Sequence, residues 1–577
     1  MSKNLNKVID FPESVSSLSL NELKNLSSEI RGYLINQIAV TGGHIGANLG
    51  VVELTVAIHS IFNSPHEPIL FDTGHQGYTH KLLTGRKHLF PTLNKYGGMN
   101  RFLTPKESEH DVVEASHAGT AISVGLGIAK ARKLLGDKRH VVSVVGDSAL
   151  AEGSSLEALN HSAVEETNLV IIINDNGYAI SPGFGGIHEM LSSGEERSRA
   201  FFEAMGFDYY GVINGHDLAE LQKALSSAKK SDLTPIIHVK TIKGYGWKPA
   251  DSHPYRSHFS PPYDPVDGNI LHSVKQEPTY SDVAGEAVKK IMAKDKKVIC
   301  LTPSTLYATG LEHAFKEYPL RSIDPGMAEQ HTLSMTVGLA LEGFLPIIAY
   351  QSTFMQRAFD QLIHDVAFNN LPTMILLMRS GFSGYDNPTH HGIYDLSFMC
   401  SIPNLTFYYP KDGRELELMI MKNSRDIKGP VVIMMPYGPV TPLNFGTYED
   451  VLMPEEILKG QETVFLAIGN KIKPAYEVAK KIGAGLINLR LVHPIPEKKI
   501  LQILEGYSKI VTIEEGVLEG GVGSSIAAIL SDNFIKKDIL RLGLPRAFIE
   551  PGSNEELCAK YGLDTAGILQ SVKKCFL

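Results

Sequence analysis

Short runs of β-branched and aliphatic residues recur along this chain, each followed by a stretch whose apolar positions have helical spacing. Residues 141–145 and 169–173 read as buried parallel strands, with a crossover helix around Glu157-Ala158-Leu159 between them. Upstream, a polar start precedes an amphipathic helix at 20–39, opened by the capping-box pattern Ser19-Leu20-Asn21-Glu22. A strand at 68–71 and a helix at 122–135 follow, and 235–239 reads as a further strand. The Pro-rich stretch 260–267 reads as a linker. Strands at 297–302, 345–349, 373–378 and 431–435 form a second series. A third alternates strands at 464–468, 486–489 and 509–513 with helices at 473–482 and 497–504. The pattern predicts an α/β chain of three doubly wound domains, 1–268, 269–447 and 448–577.

A length of 577 residues leaves room for a full core in each domain. A net charge of -8 without a basic block argues against nucleic acid or an anionic membrane as partner. Cys300, Cys400, Cys558 and Cys575 lack paired spacing, so neither a disulfide framework nor a zinc site is expected. The start has no apolar signal-peptide core and no apolar run reaches spanning length, so a cytoplasmic location is expected.

Candidate chemistry gathers at the ends of the first strand pair. Strand 141–145 runs into Gly146-Asp147-Ser148, and strand 169–173 into Asn174-Asp175-Asn176-Gly177-Tyr178. Both strands of such a unit end on one edge of the sheet, where open α/β folds bind ligands. A carboxylate and a carboxamide therefore meet, and hard oxygen donors of this kind suit Mg²⁺ beside phosphate. Taken singly, Asp147 reads equally well as a helix cap and the Asn-Asp-Asn run as a turn.

Three histidines stand in glycine-containing turns: His44 after Gly42-Gly43, His75 after Gly74, and His117 before Ala118-Gly119. The first turn follows no strand, which excludes a dinucleotide loop. The last opens a helix, whose amides can hold an anion. Further on, Glu329 opens a helix, where a glutamate is ordinarily a cap. Arg379 and Asp386 share one polar loop and can simply pair with each other.

The paired turns at Asp147 and Asn176 resemble the thiamine-diphosphate signature, with Ser148 where that pattern has Gly. From about Leu20 to the end, the order and spacing of the turns resemble the 1-deoxy-D-xylulose-5-phosphate synthase family of the transketolase superfamily. The most specific pieces are Ser352-Thr353-Phe354-Met355-Gln356-Arg357-Ala358 and Thr389-His390-His391-Gly392. The resemblance implies transketolase-like domains, thiamine diphosphate held between the first and second of them, and a homodimer. It implies Mg²⁺ ligation by Asp147, Asn176 and the carbonyl of Tyr178. Implied cofactor contacts come from His75, Ser116, His117, Ala118, Asp147, Ser148, Ala149, Asn176, Lys248, Glu329, Phe354 and Trp247, the last in place of the usual Tyr. Glu329 is implied to hydrogen-bond the aminopyrimidine and promote loss of the thiazolium C2 proton. His44, His75, His258, Asp386 and His390 are implied to act in catalysis, and His44, Arg357, Arg379, Asp386, His390 and Tyr437 to line the substrate site. The implied reaction decarboxylates pyruvate and joins its two-carbon unit to D-glyceraldehyde 3-phosphate. The C-terminal domain is expected to be structural and dimerising, without chemistry.

Two positions depart from the family pattern. Tyr437 stands where the family has an Arg that clamps the acceptor phosphate, and Gln351 where it has a Tyr. Arg binds phosphate through a bidentate fork that a phenol does not replace. A carboligase with a different acceptor aldehyde or ketol donor is therefore the second expectation, and a non-enzymatic relative the third.

Overall fold

The computed structural model describes residues 12–271, 277–440 and 442–576. Most of the polar start, 1–11, lies outside them. The chain divides into two compact units: Met1–Val274 with Pro325–Ala328, and Lys275–Asp324 with Glu329–Leu577.

The first unit is built on a parallel sheet of β1 (Ile69–Phe71), β2 (Val141–Gly146), β3 (Leu169–Asp175), β4 (Asp208–Asn214) and β5 (Pro235–Lys240), in the order β1-β2-β3-β5-β4. The continuous apolar runs have a direct cause. Successive side chains point to opposite faces, and helices cover both faces, so neither can be polar. Val142, Val144, Val170 and Ile172 pack on one side with Leu23, Ile30 and Ile38 of the helix Leu20–Thr41. Val141, Val145, Ile171 and Ile173 pack on the other with Ile122 and Leu126 of the helix Ala121–Leu134. The capping box forms as read: Ser19 Oγ accepts the Glu22 amide, and Glu22 returns the bond to the Ser19 amide. Register then places the chemistry. Gly146 lies opposite Asn174, and Asn174 opposite Val239, so the residues that follow all emerge at one edge.

The second unit contains β6 (Val298–Leu301), β7 (Ser322–Ile323), β8 (Leu345–Gln351), β9 (Met374–Ser380), β10 (Thr406–Tyr408), β11 (Val431–Pro436), β12 (Glu455–Leu458), β13 (Thr463–Ala467), β14 (Gly485–Asn488), β15 (Leu491–His493), β16 (Lys509–Val517) and β17 (Asp538–Leu544). They form two sheets, β15-β10-β11-β9-β8-β6-β7 and β12-β14-β13-β16-β17. Alternate residues again divide between two cores: Leu301, Ile348 and Leu377 on one face, Cys300, Ile347 and Leu376 on the other. The edge strands β15 and β12 run antiparallel to their neighbours.

Sequence pattern passes over β4, β7, β10, β12, β15 and β17; of these, β7, β10 and β15 have two or three residues each and carry too little periodicity to register. β15 also crosses the expected boundary at 447/448: it follows β14 in the chain yet completes the preceding sheet. Arg490, between the two strands, is buried and bonds Glu415 Oε1 at 2.6 Å and Glu455 Oε2 at 2.8 Å. Lys411 adds a second cation, 2.6 Å from Glu455. Among the described residues no helix is long and apolar enough to cross a membrane.

Candidate active site

In the first unit, Asp147 begins a short helix directly after β2, and its carboxylate faces the turn after β3. Oδ1 accepts the Ser148 amide at 2.9 Å, and Oδ2 accepts the Gly177 amide at 2.8 Å. Burial, and then the charge of Asp175, push its carboxyl up to about 7. A buried carboxylate in that position is stabilised by a cation. Asn176 stands in the same turn, its Oδ1 accepting the Tyr178 amide at 3.0 Å. Carboxylate, carboxamide and main-chain carbonyl oxygens, all present on these two turns, are hard donors of the kind that suits Mg²⁺. Among the described residues no group of three or more His, Cys, Asp and Glu side chains is arranged for a metal.

The other two members of the Asn-Asp-Asn run are used by the fold. Asn174 Nδ2 donates to Gln76 Oε1 at 2.9 Å and its Oδ1 accepts Thr241 Oγ1 at 2.5 Å. Asp175 pairs with His238 at 2.9 Å and Lys240 at 2.8 Å. Burial raises the Asp175 carboxyl, but these bonds outweigh it and hold the group below its ordinary range.

Three histidines converge beside this edge. Ring centroids of His44 and His75 are 5.5 Å apart, those of His44 and His258 5.4 Å, and those of His75 and His258 5.2 Å. Backbone stitching brings the loops together. Gly46 donates to Ser257 O and accepts from Gly244, and a Cβ at Gly46 would fall 2.0 Å from Arg256 O, so only glycine fits. Asn48, wholly buried, donates through Nδ2 to His44 O at 2.7 Å and to His75 O at 2.8 Å, while Oδ1 accepts the Tyr78 amide. Burial first, with Lys243 nearby, lowers His75 to about 3 and holds His258 well below the ordinary imidazole value. Both rings are therefore neutral at physiological pH. Nδ1 of His75 and Nδ1 of His258 are buried without a hydrogen-bond partner among the described residues, which suits a site that receives a polar ligand.

The lysines of the segment after β5 differ in burial. Lys248 is exposed, whereas Lys243 is buried, donates to Ala179 O at 2.6 Å and lies over the Tyr178 ring. Burial lowers its ammonium to about 7 against the opposing pull of Asp147. Lys243 and Asn48 are the two residues that sequence reasoning missed. Lys240, Lys243 and Lys248 share one segment, and nothing in local spacing says which turns inward. Trp247 is in the core, its Nε1 donating to Pro265 O at 2.9 Å and its ring 4.8 Å from that of Tyr263.

The start of the helix Ala121–Leu134, just after Ser116-His117-Ala118, holds an anion that belongs to the chain. Asp72 accepts the amides of Gly119, Thr120 and Ala121 at 2.9, 3.0 and 3.0 Å. Ser116 and Ala118 are buried and His117 is half-buried just before that cap. Ala149 packs in the core, which leaves its backbone for any ligand; Ser148 is half-buried.

In the second unit, Glu329 opens the helix Glu329–Leu341 and is buried; Tyr350 OH donates to its carbonyl at 2.8 Å. Burial raises the Glu329 carboxyl to about 7, and Oε2 has no hydrogen-bond partner among the described residues. A carboxyl poised near neutrality with an open oxygen suits proton exchange with a ring nitrogen. Phe354 lies edge-to-face with His390 at 5.8 Å, and Arg357, one turn on, is half-buried. Arg379, at φ +56°, donates to Asp386 Oδ2 at 2.7 Å, and its guanidinium lies 4.6 Å from the ring centre of Tyr437. Gln351 is buried at the end of β8.

Known proteins give this arrangement a lineage. Residues 6–200 and 194–241 match the family described as 1-deoxy-D-xylulose-5-phosphate synthase. Residues 276–441 match the transketolase pyrimidine binding domain, and 455–568 the transketolase C-terminal domain. The 1-deoxy-D-xylulose-5-phosphate synthase of Caldanaerobacter subterraneus subsp. tengcongensis is 37% identical, covering 98% of this chain and 98% of its own. Synthase 2 of Geobacter sulfurreducens is 38% identical over 99% of each chain. That of Thioalkalivibrio sulfidiphilus is 36% identical over 98% of this chain and 94% of its own. With full-length identity at this level and the signature turns in sequence order, the chain belongs to the 1-deoxy-D-xylulose-5-phosphate synthase family.

Proposed function

We propose that this protein is a thiamine-diphosphate-dependent transferase that decarboxylates pyruvate and joins the two-carbon unit to D-glyceraldehyde 3-phosphate, giving 1-deoxy-D-xylulose 5-phosphate and CO₂. The observation that carries the reading is family membership over 98% of the chain. Buried Asp147 and Glu329, with half-buried Asn176 in the turn that Asp147 faces, add physical support.

When bound, thiamine diphosphate supplies an acidic carbon and an electron sink. Asp147, Asn176 and the Tyr178 carbonyl would hold Mg²⁺. His75, Lys243 and the backbone at Ser148 and Ala149 would face the diphosphate, with Ser116, His117, Ala118, Trp247 and Lys248 around them. Glu329 would exchange a proton with the aminopyrimidine, and Phe354 would stack on that ring. His44 and neutral His258 would move protons on the substrates and exclude water. Arg357, Arg379, Asp386, His390 and Tyr437 would bind and orient donor and acceptor. A homodimer in the cytoplasm belongs to the same proposal.

The second reading, a different acceptor aldehyde, is favoured by the setting of Arg379. Asp386 takes one of its nitrogens and Tyr437 covers one face of its guanidinium, so an incoming phosphate meets a cation already engaged. The test is product identification with pyruvate, the cofactor and Mg²⁺, offering D-glyceraldehyde 3-phosphate or unphosphorylated D-glyceraldehyde. Preferred formation of deoxyxylulose 5-phosphate, lost on chelation of Mg²⁺, is expected. Preference for the unphosphorylated aldehyde establishes the second reading, and no product from either aldehyde rejects the first.

A further inference from the structure

The loop that carries Asp386 and His390 is closed at its neck and gripped from the C-terminal sheet. Gly381 and Gly392 exchange both backbone hydrogen bonds at 2.8 Å, which fixes where the loop leaves and returns. Just inside the neck, Glu515 Oε1, on β16, accepts the Phe382 amide at 2.7 Å. The approach is close enough that a Cβ on Gly381 would lie 2.2 Å from that oxygen. Glu515 Oε2 takes Lys471 Nζ at 2.5 Å and Asn470 Nδ2 at 3.0 Å. Glu515 is 1% and Lys471 3% exposed.

The grip continues around the loop. Gly384 O accepts the Gly552 amide at 3.3 Å, and Tyr385 OH donates to Glu556 Oε2 at 2.5 Å. His391 Nδ1 accepts the Ser383 amide at 3.0 Å, and Nε2 reaches Glu550 O at 3.1 Å. Asp386 and His390 stand between these holds. Of them, only Glu515 combines full burial, a formal charge and a bond to the loop backbone. A charged acceptor makes the stronger bond to an amide, and its desolvation is tolerable because Lys471 sits against its other oxygen.

We propose that Glu515, with Lys471 as counter-charge, is a positioning residue for the reaction, setting the stance of Asp386 and His390 through the Phe382 amide. The C-terminal part of the chain, expected from sequence to be structural, thereby takes part in acceptor handling. The inference rests on the reading of the Arg379–Gly392 loop as substrate-binding. A displacement of about 1 Å at reacting groups can cost about a hundredfold in rate, so a single amide anchor is worth testing.

The test compares two double variants of the full chain, each removing both buried charges so that neither strands an ion. Lys471→Met with Glu515→Gln keeps an oxygen for the Phe382 amide. Its new NH₂ group can meet Asn470 Oδ1, which has no partner among the described residues. Lys471→Met with Glu515→Met removes the acceptor at similar volume. Three quantities are read: acceptor kcat/KM, cofactor affinity by calorimetry, and amide exchange of the peptide spanning 380–392.

The Gln variant is expected to stay within about threefold of the unaltered protein. The Met variant is expected to lose about ten- to a hundredfold in acceptor kcat/KM. Its exchange should rise in 380–392 alone, with cofactor affinity and thermal midpoint matched between the two. Equal kcat/KM in the two variants, or exchange raised across the whole C-terminal region, overturns the proposal. If the unaltered protein makes no product, the functional reading fails, and the exchange comparison still decides whether Glu515 holds the loop.

Discussion

Asp147 and Glu329 are both buried carboxyls raised to about 7, for reasons that differ. Asp147 is raised by burial and the neighbouring Asp175, and two backbone amides pull the other way, so its environment calls for a cation. Glu329 is raised by burial alone against its own backbone bond, so its environment calls for a proton. The second case gives a signed prediction. Above about pH 7 the folded protein must keep Glu329 ionised in an apolar setting, which the unfolded chain does not. Stability from this group is therefore fully present below the ordinary carboxyl value and lost as pH rises through about 7. Glu329→Gln is expected to stabilise the cofactor-free protein by a few kcal/mol at about pH 8, with the gain vanishing towards about pH 4.5. The same variant is expected to lose at least about a hundredfold in kcat. Urea titrations at several pH values and steady-state rates check both. Residue types at these positions were legible in the sequence, because Asp147 and Asn176 follow strands at matched ends. Lys243 and Asn48 were not, because inward direction in a glycine-rich turn depends on which other loop lies across from it.

At the scale of elements, Asp72 shows how the chain itself can supply the anion at a helix end. The turn 116–120, expected to open a helix at 122–135 and offer amides to an anion, ends in the amides of Gly119 and Thr120, which with that of Ala121 donate to Asp72 from the end of β1. Only the β1–β2 pairing brings it there. Asp72→Ala leaves three amides of a buried helix end without an acceptor and is expected to cost about 2–3 kcal/mol. Asp72→Asn, which keeps one oxygen, is expected to cost less; thermal unfolding of the two variants decides. No loss in Asp72→Ala would reopen these amides as a phosphate site. Most fully buried long elements were legible from their periodicity: the capped helix Leu20–Thr41 and the strands β2, β3, β8, β9 and β11 fall where expected, whereas the partly exposed seven-residue strands β4 and β17 were not read. Two- and three-residue edge strands such as β15 were not, because pairing with a neighbour rather than their own pattern makes them strands.

For the whole molecule, two compact units contain three sheets, and the polar network around Arg490 explains why two sheets share a unit. Arg490 and Lys411 face Glu415 and Glu455 in a buried cluster reaching from 411 to 490, across the expected boundary at 447/448. We propose that 1–268, 269–447 and 448–577 are evolutionary domains, and that the last two unfold together. Arg490→Met strips one cation from two buried carboxylates and is expected to cost about 3–5 kcal/mol, lowering one transition shared by both. Calorimetry that resolves two separate transitions in the second unit would reject this coupling.

The sequence by itself determined the α/β class, the order of the long elements, the residues at the strand ends and the family. Each of these is a matter of local pattern: hydrophobic period, turn chemistry, or residue types at fixed spacing. Tertiary structure alone decided that Asp72 occupies the helix end, that Lys243 rather than Lys248 lies buried beside Asp147, that Asn48 ties His44 to His75, and that Glu515 reaches the Phe382 amide. These are contacts between residues far apart in the chain. Register and loop stitching set them, and a one-dimensional pattern carries neither.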